Sequence, residues 1–160
     1  MTPELLTRIA IDPALSLLPP RMDSRAARVL MLAIAGQESA MRHRRQIRGP
    51  ARGFWQFEQG GGVKGVMGHP ASSRLALESI SSRNLRPNSP TVWAALATDD
   101  VLAAIFARLL LFTDARPLPA IGQEAAALAY YIRNWRPGKP HPHTWPALYD
   151  SAVDTVRGGA

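Results

Sequence analysis

The stretch Arg25-Ala26-Ala27-Arg28-Val29-Leu30-Met31-Leu32-Ala33-Ile34-Ala35-Gly36-Gln37-Glu38-Ser39 decides the fold. Its apolar residues Ala26, Val29, Leu30, Ala33 and Ile34 recur at three- and four-residue spacing, the period of one helix face. Asp23 or Ser24 supplies an N-terminal cap just before it. The pattern predicts a core helix that ends near Glu38 and carries that acid out of an apolar run.

Beyond it, residues 42 to 54 are polar and Arg-rich and are broken by Gly49-Pro50 and Gly53, so they read as a loop. The loop leads into Phe54-Trp55-Gln56-Phe57, a small strand or turn, and Gly60-Gly61-Gly62 reads as a mobile connection. Ser72 to Leu85 reads as a helix with Leu75, Leu77 and Ile80 inward. Asn88-Ser89-Pro90 opens another that contains Trp93. Thr98-Asp99-Asp100 caps a central buried helix bearing Val101, Leu102, Ile105, Phe106, Leu109 and Leu110. Gly122 to Trp135 is Ala-rich and helical by propensity, Pro137-Gly138-Lys139-Pro140 stops it, and Thr144 caps a last helix from Trp145 to about Val156. Before the opening stretch, Thr2-Pro3-Glu4 and Asp12-Pro13-Ala14 each repeat a cap-proline signal, which predicts two short helices. Apart from a weak signal near Phe54, alternating apolar runs joined by a hairpin are missing. The class is mainly α, with a minor β or extended segment, in a single domain over 1–160: short helices in 1–22, a core over 24–138 and a C-terminal helix over 144–157.

The bulk numbers suit that reading. A chain of 160 residues, 46% hydrophobic and 19% charged, can bury a core of its own. With no cysteine, thiol catalysis, Cys-bound zinc and disulfides are excluded, and the compartment stays open. A net charge of +7 and a pI near 11.0 imply attraction to a polyanion: nucleic acid, an anionic membrane or an acidic cell wall. Residues 1 to 20 do not show the basic and apolar pattern of a signal peptide, and no apolar run approaches the roughly 20 residues of a membrane span.

Among residues able to do chemistry, Glu38 stands out. At the C-terminal end of an apolar helix both the helix dipole and the apolar neighbours disfavour its charged form, which raises its pKa as a general acid requires. A Glu at a helix end is ordinarily a solvated surface group, so its neighbours carry the argument. Glu38-Ser39, followed by Gly49-Pro50-Ala51-Arg52-Gly53-Phe54-Trp55-Gln56, resembles the soluble lytic transglycosylase pattern Glu-Ser, a variable loop, then Gly-Ala-x-Gly-Leu-Met-Gln. Gln56 lies 18 positions after Glu38, Ala51, Arg52 and Gly53 fall in register, and Phe54 and Trp55 replace the usual Leu and Met. A third family element, Ala-Tyr-Asn-x-Gly, is similar to the segment from Ala129 through Tyr130, Tyr131 and Asn134 to Gly138, with Tyr and Asn no longer adjacent; Tyr130 and Tyr131 match equally well.

The resemblance, covering about 24 to 138, implies a lysozyme-like fold with a sugar-binding cleft and a phage-type enzyme that cuts peptidoglycan glycan strands with Glu38 as acid and base. In the family the tyrosine hydroxyl helps hold the Glu and the asparagine lines the cleft. Ser39, Gln56, Trp55, Tyr130 or Tyr131, and Asn134 are thus the supporting residues, with Gln56 favoured over Trp55 for substrate contact because alternation sends one of the aromatics inward. No cofactor or metal is implied. Such a chain would be made in the cytoplasm and reach the wall by lysis or virion delivery, as endolysins and virion-associated lysins do.

Other readings compete. A hydrolase needs a second carboxylate, and Glu58 is the one nearby; a solvated loop Glu is its ordinary role. Arg42, Arg44, Arg45 and Arg48, with His43, suit stem-peptide carboxylates, wall phosphates or an anionic membrane surface, or form a merely solvated loop. A basic nucleic-acid binder fits the charge but has no recognisable binding motif, and a virion or wall protein with little turnover fits the fold class. Gly60-x-Gly62-x-x-Gly65 has no βαβ context for a dinucleotide, and His141-Pro142-His143 with His69 gives no third metal ligand at characteristic spacing. Neither a Gly-x-Ser-x-Gly elbow nor a His-Glu-x-x-His helix occurs.

Overall fold

The structure, a computed structural model, describes residues 1–159. It is mainly helical, and its only β pairing among the described residues is two isolated bridges, Arg45 with Arg52 and Arg52 with Phe57. These pin the hairpin-like turn around Phe54 that the sequence predicts.

The decisive stretch forms α3, Arg25–Ser39. Ser24, not Asp23, caps it: the Ser24 Oγ accepts the Ala27 N–H at 3.1 Å, while Asp23 receives Arg28 through two nitrogens at 2.8 and 2.9 Å. The apolar pattern understates how deeply α3 is set. Every residue from Val29 to Gly36 is buried, and Ala26 lies partly exposed. The whole middle of the helix is wrapped because α9 (Trp145–Gly158), α7 (Asp100–Thr113) and α8 (Glu124–Trp135) all pack on it. Gly36 makes the α9 contact close: a Cβ there would sit 2.9 Å from Leu148 Cδ2. α7 is apolar on nearly all sides, as a central helix must be. Its cap is Asp99, whose Oδ1 accepts the Leu102 N–H at 2.7 Å and whose Oδ2 receives Arg83 at 2.6 Å.

Several local expectations are corrected. The N-terminus is one continuous helical run rather than two helices: α1 (Pro3–Leu6), a π-helical turn (Thr7–Ile11) and α2 (Asp12–Ser16), followed by a 3₁₀ turn (Pro20–Met22). Pro13 has no N–H to donate and sits in the first turn of α2, where none is needed, so the chain passes through it without breaking. Gly60 to Gly62 belong to a second π-helical turn, Gln59–Val63, that runs straight into α4 (Lys64–Gly68). Val63 and Val66 anchor this run in the core, which is why a glycine run that reads as a mobile connection takes helical form. α5 is shorter than expected, Ser73–Ser81, and Leu77 faces outward at 44% exposed while Leu75, Ala76, Ser79 and Ile80 face in. α6 (Ser89–Ala95) is capped by the Asn88 side chain. Thr144 precedes α9 but does not cap it through its side chain; its hydroxyl donates to Gln37 Oε1 at 2.9 Å instead. A short 3₁₀ turn, Pro142–Thr144, leads into that helix. Among the described residues no helix is long and apolar enough to cross a membrane.

Candidate active site

A cleft of about 1200 Å³ opens where the C-terminal end of α3 meets the turn 56–65 on one side and the end of α8 with the segment 136–141 on the other. Glu38 lies in the last turn of α3 and lines this cleft. Ala40, which follows the helix in the left-handed region at φ 49, donates its N–H to the Gly36 carbonyl at 2.9 Å and turns the chain away, leaving the acid at the helix mouth.

Tyr131 settles which tyrosine reaches the acid: its hydroxyl donates to Glu38 Oε1 at 2.6 Å. Successive residues on an α-helix point about 100° apart, so Tyr130 cannot share that direction. The Tyr130 hydroxyl instead donates to the Leu111 carbonyl at 2.8 Å, and its ring lies under the Arg133 guanidinium at 4.8 Å. Burial pushes the Tyr130 phenol up to about 12, with the Asp114 charge adding to the shift. Tyr131 is held by aromatics on two sides. Trp145 stacks on it with centroids 5.2 Å apart and planes 9° apart, and Trp135 lies 6.3 Å away. Burial is also the main cause of a raised Tyr131 phenol, followed by the adjoining Glu38 charge.

The Glu38 carboxyl is pushed up to about 7. Burial is the largest cause, the Tyr131 hydrogen bond pulls the other way, and the Glu58 charge adds to the rise. One oxygen is tied to Tyr131, and Oε2 accepts no hydrogen bond among the described residues. At neutral pH this is a carboxyl poised to give a proton and then take one back.

Gln56 lines the same cleft from a left-handed backbone, φ 50, unusual for a residue other than glycine. Its Nε2 donates to the Gly53 carbonyl at 2.7 Å and the His43 carbonyl at 3.1 Å, so the amide nitrogen braces its own turn and the amide oxygen is left for other partners. Gly53 lets that turn close: at φ 74, a Cβ would stand 2.9 Å from the Leu96 carbonyl oxygen. Glu58 is exposed and lines the cleft. Asn134 reaches the cleft despite its shifted spacing, but its Nδ2 donates to Asp114 Oδ2 at 3.1 Å and the Tyr130 carbonyl at 2.8 Å.

Several expected contributors fall elsewhere. Phe54, Trp55 and Phe57 are all buried, the turn leaving Gln56 between them partly exposed instead of alternating; Trp55 is fully buried against α3, its Nε1 donating to the Met31 carbonyl at 2.8 Å. It ties the turn to the core and offers no sugar-facing surface. Ser39 is buried and donates to the Ala35 carbonyl at 3.0 Å, one helical turn back, so it does not line the cleft. Arg44 is not a free cation: it grips Asp100 with two nitrogens at 2.8 and 2.7 Å and lies 4.4 Å over the Phe54 ring. Arg42, Arg45 and Arg48 are exposed, but none lines the cleft.

Other residues line it instead. Trp135 donates its Nε1 to the Trp55 carbonyl at 2.9 Å and packs 6.0 Å from Phe57, giving the cleft an aromatic wall. Lys64, Arg136, Lys139 and His141 stand along it, and Gln37 holds the far segment by donating to the His141 carbonyl at 3.1 Å. In the sequence these lie in a glycine-flanked turn and a proline-rich stop, where nothing but the later tertiary approach marks them. Among the described residues no group of three His, Asp or Glu side chains has metal-binding geometry. No family model, curated protein or solved structure matches this chain.

Proposed function

We propose that the chain is a peptidoglycan lytic transglycosylase with a lysozyme-like fold, of the phage or prophage type, in which Glu38 is both acid and base. The observation that carries the reading is the largely buried Glu38 carboxyl, raised to about 7 and held by the Tyr131 hydroxyl at 2.6 Å in the cleft. The match in order and spacing from Glu38 to Gln56 supports the same family.

In the reaction, the protonated Glu38 gives its proton to the oxygen bridging an N-acetylmuramic acid unit to the following N-acetylglucosamine. The C1–O bond breaks as positive charge develops at C1. The resulting carboxylate takes the proton of the muramyl 6-hydroxyl, whose oxygen bonds to C1. Water does not enter, the acid is regenerated, and the products are a 1,6-anhydromuramic end and a free 4-hydroxyl. Tyr131 keeps one carboxyl oxygen fixed through both transfers. Gln56 offers an amide oxygen to the sugar hydroxyls, and Trp135 offers an aromatic surface.

Glu58 on the same cleft supports a second reading, a muramidase in which it activates water or attacks C1. Mass spectrometry of fragments released from purified peptidoglycan separates the two. Anhydro ends from the wild type and none from Glu38→Gln are the expected result. Reducing ends that also vanish in Glu58→Gln would replace transglycosylation by hydrolysis. With no fragments from any variant, a wall- or nucleic-acid-binding role takes over.

A further inference from the structure

The walls of the cleft carry more positive charge than acid chemistry needs. Lys64, at the start of α4, stands on one wall, and Arg136 and Lys139, in the segment after α8, stand on the other. All three are exposed. Five arginines, Arg28, Arg44, Arg74, Arg83 and Arg133, each hold a carboxylate, while most exposed cations hold none; what sets these three apart is their place on the cleft. Lys64, Arg136 and Lys139 pair with none among the described residues. Nor do they set the protonation of Glu38, which burial, Tyr131 and Glu58 account for. Their charge is therefore left over for something that enters the cleft.

The backbone fixes where two of them stand. Arg136 takes a left-handed conformation, φ 49, immediately before Pro137, a position that disfavours helix, so the chain swings off α8 and back along the cleft. Gln37, the neighbour of Glu38, then ties the returning segment to α3 through the His141 carbonyl. Thr144 makes a second tie, its one hydroxyl proton shared between Gln37 Oε1 at 2.9 Å and the His141 carbonyl at 2.8 Å. Lys139 thus sits in a short segment anchored at both ends beside the acid.

We infer that Lys64 and Lys139, with Arg136, form a carboxylate-recognition rim, so that the cleft takes a glycan bearing carboxylate groups on its sugars in preference to a neutral one of the same backbone. A bare glycan backbone of N-acetylated sugars has no anion for these cations to meet. A muramyl strand carries carboxylates in one of two places: on its stem peptides, or on the lactyl ether itself where a peptide has been removed. Charge-assisted contacts of this kind are stronger than neutral hydrogen bonds. The inference rests on the glycan-cleaving reading for the identity of the ligand, but its test reads binding as well as cleavage.

The full chain carrying Glu38→Gln, which binds without turnover, is titrated with three probes: soluble peptide-bearing glycan strands, the same strands stripped of peptide by an amidase, and a neutral N-acetylglucosamine hexamer. The background is compared with the same chain also carrying Lys64→Gln and Lys139→Gln, and cleavage rates are measured in parallel with Glu38 intact. Both lysines are exposed, so a thermal melt that overlays the parent is expected; Lys64→Glu with Lys139→Glu provides a stronger perturbation at the same positions. The expected result is that at least one carboxylate-bearing probe binds about tenfold or more tightly than the hexamer, and that this ratio collapses toward one in the double variant and inverts on charge reversal. A collapse confined to peptide-bearing strands assigns the carboxylates to the stem peptide, and one shared by stripped strands assigns them to the lactyl group. The same ratio in parent and double variant overturns the rim. Absence of anhydro ends with the ratio intact overturns transglycosylation alone, while anhydro ends with an unchanged ratio overturn the rim alone.

Discussion

Glu38 is costly to keep. Its ordinary value is 4.5 and in the folded chain it is about 7, so the native state holds the proton more tightly than the unfolded one. The corresponding stability is fully present below about pH 4.5 and is lost as pH rises through about 7, where the buried carboxyl must ionise. A shift of that size corresponds to about 3 kcal/mol. Glu38→Gln, neutral at all pH, is therefore expected to raise the thermal midpoint at pH 8 by several degrees and to change it little at pH 4; equal effects at both pH values would contradict the raised value. In the proposed reaction the same group sets the pH dependence of the rate. The acid form is needed, so kcat/KM on peptidoglycan is expected to fall above about pH 7. Tyr131→Phe removes the bond that favours the charged form, so the alkaline limb should move upward while the rate drops by roughly a hundredfold, the lower end of what an acid–base contribution is worth. Unchanged pH dependence in that variant would make Tyr131 a packing residue alone.

At the scale of elements, the acid depends on helices far from it in the chain. α9 seats against Gly36, two residues before Glu38, and its first residue, Trp145, stacks on Tyr131. Gly36→Val should push Leu148 away and cost about 1–3 kcal/mol, as over-packing of a buried contact does. Differential scanning calorimetry gives the stability, and the loss of cleavage should exceed what the unfolded fraction explains. The arginine loop divides by contact. Arg44 pairs with Asp100 and covers Phe54, so Arg44→Ala should cost about 1 kcal/mol after allowance for its partial exposure. Arg42→Ala and Arg45→Ala, exposed and without salt-bridge partners, should stay within about 0.5 kcal/mol. Urea melts of the three variants test that split. Four arginines that look alike in the sequence differ here because, among the described residues, Arg44 alone is brought within reach of a carboxylate, the one at the start of α7.

For the whole molecule, charge and topology act together. With a net charge of +7, binding to anionic strands should weaken with added salt. A cleft-bound strand should lose its affinity in proportion to the free cations it meets, and removal of Lys64 and Lys139 should flatten that dependence. The sequence by itself determined the helical class, the capping segments at 23–24, 88–90 and 98–100, the buried α3 and α7 and the candidacy of Glu38, because helix period, capping and an acid placed after an apolar run are local properties; it left Asp23 and Ser24 open as the α3 cap. It left Tyr130 and Tyr131 tied, since a one-residue step turns a side chain by about 100° and only the position of α3 tells which direction faces the acid. The inward course of Trp55, the capture of Arg44 by Asp100, the helical use of Gly60 to Gly62 and the return of Lys139 to the cleft were decided by the tertiary structure alone. Each depends on a partner dozens of residues away or on neighbouring anchors in the core, and contacts of that kind leave no period or motif along the chain.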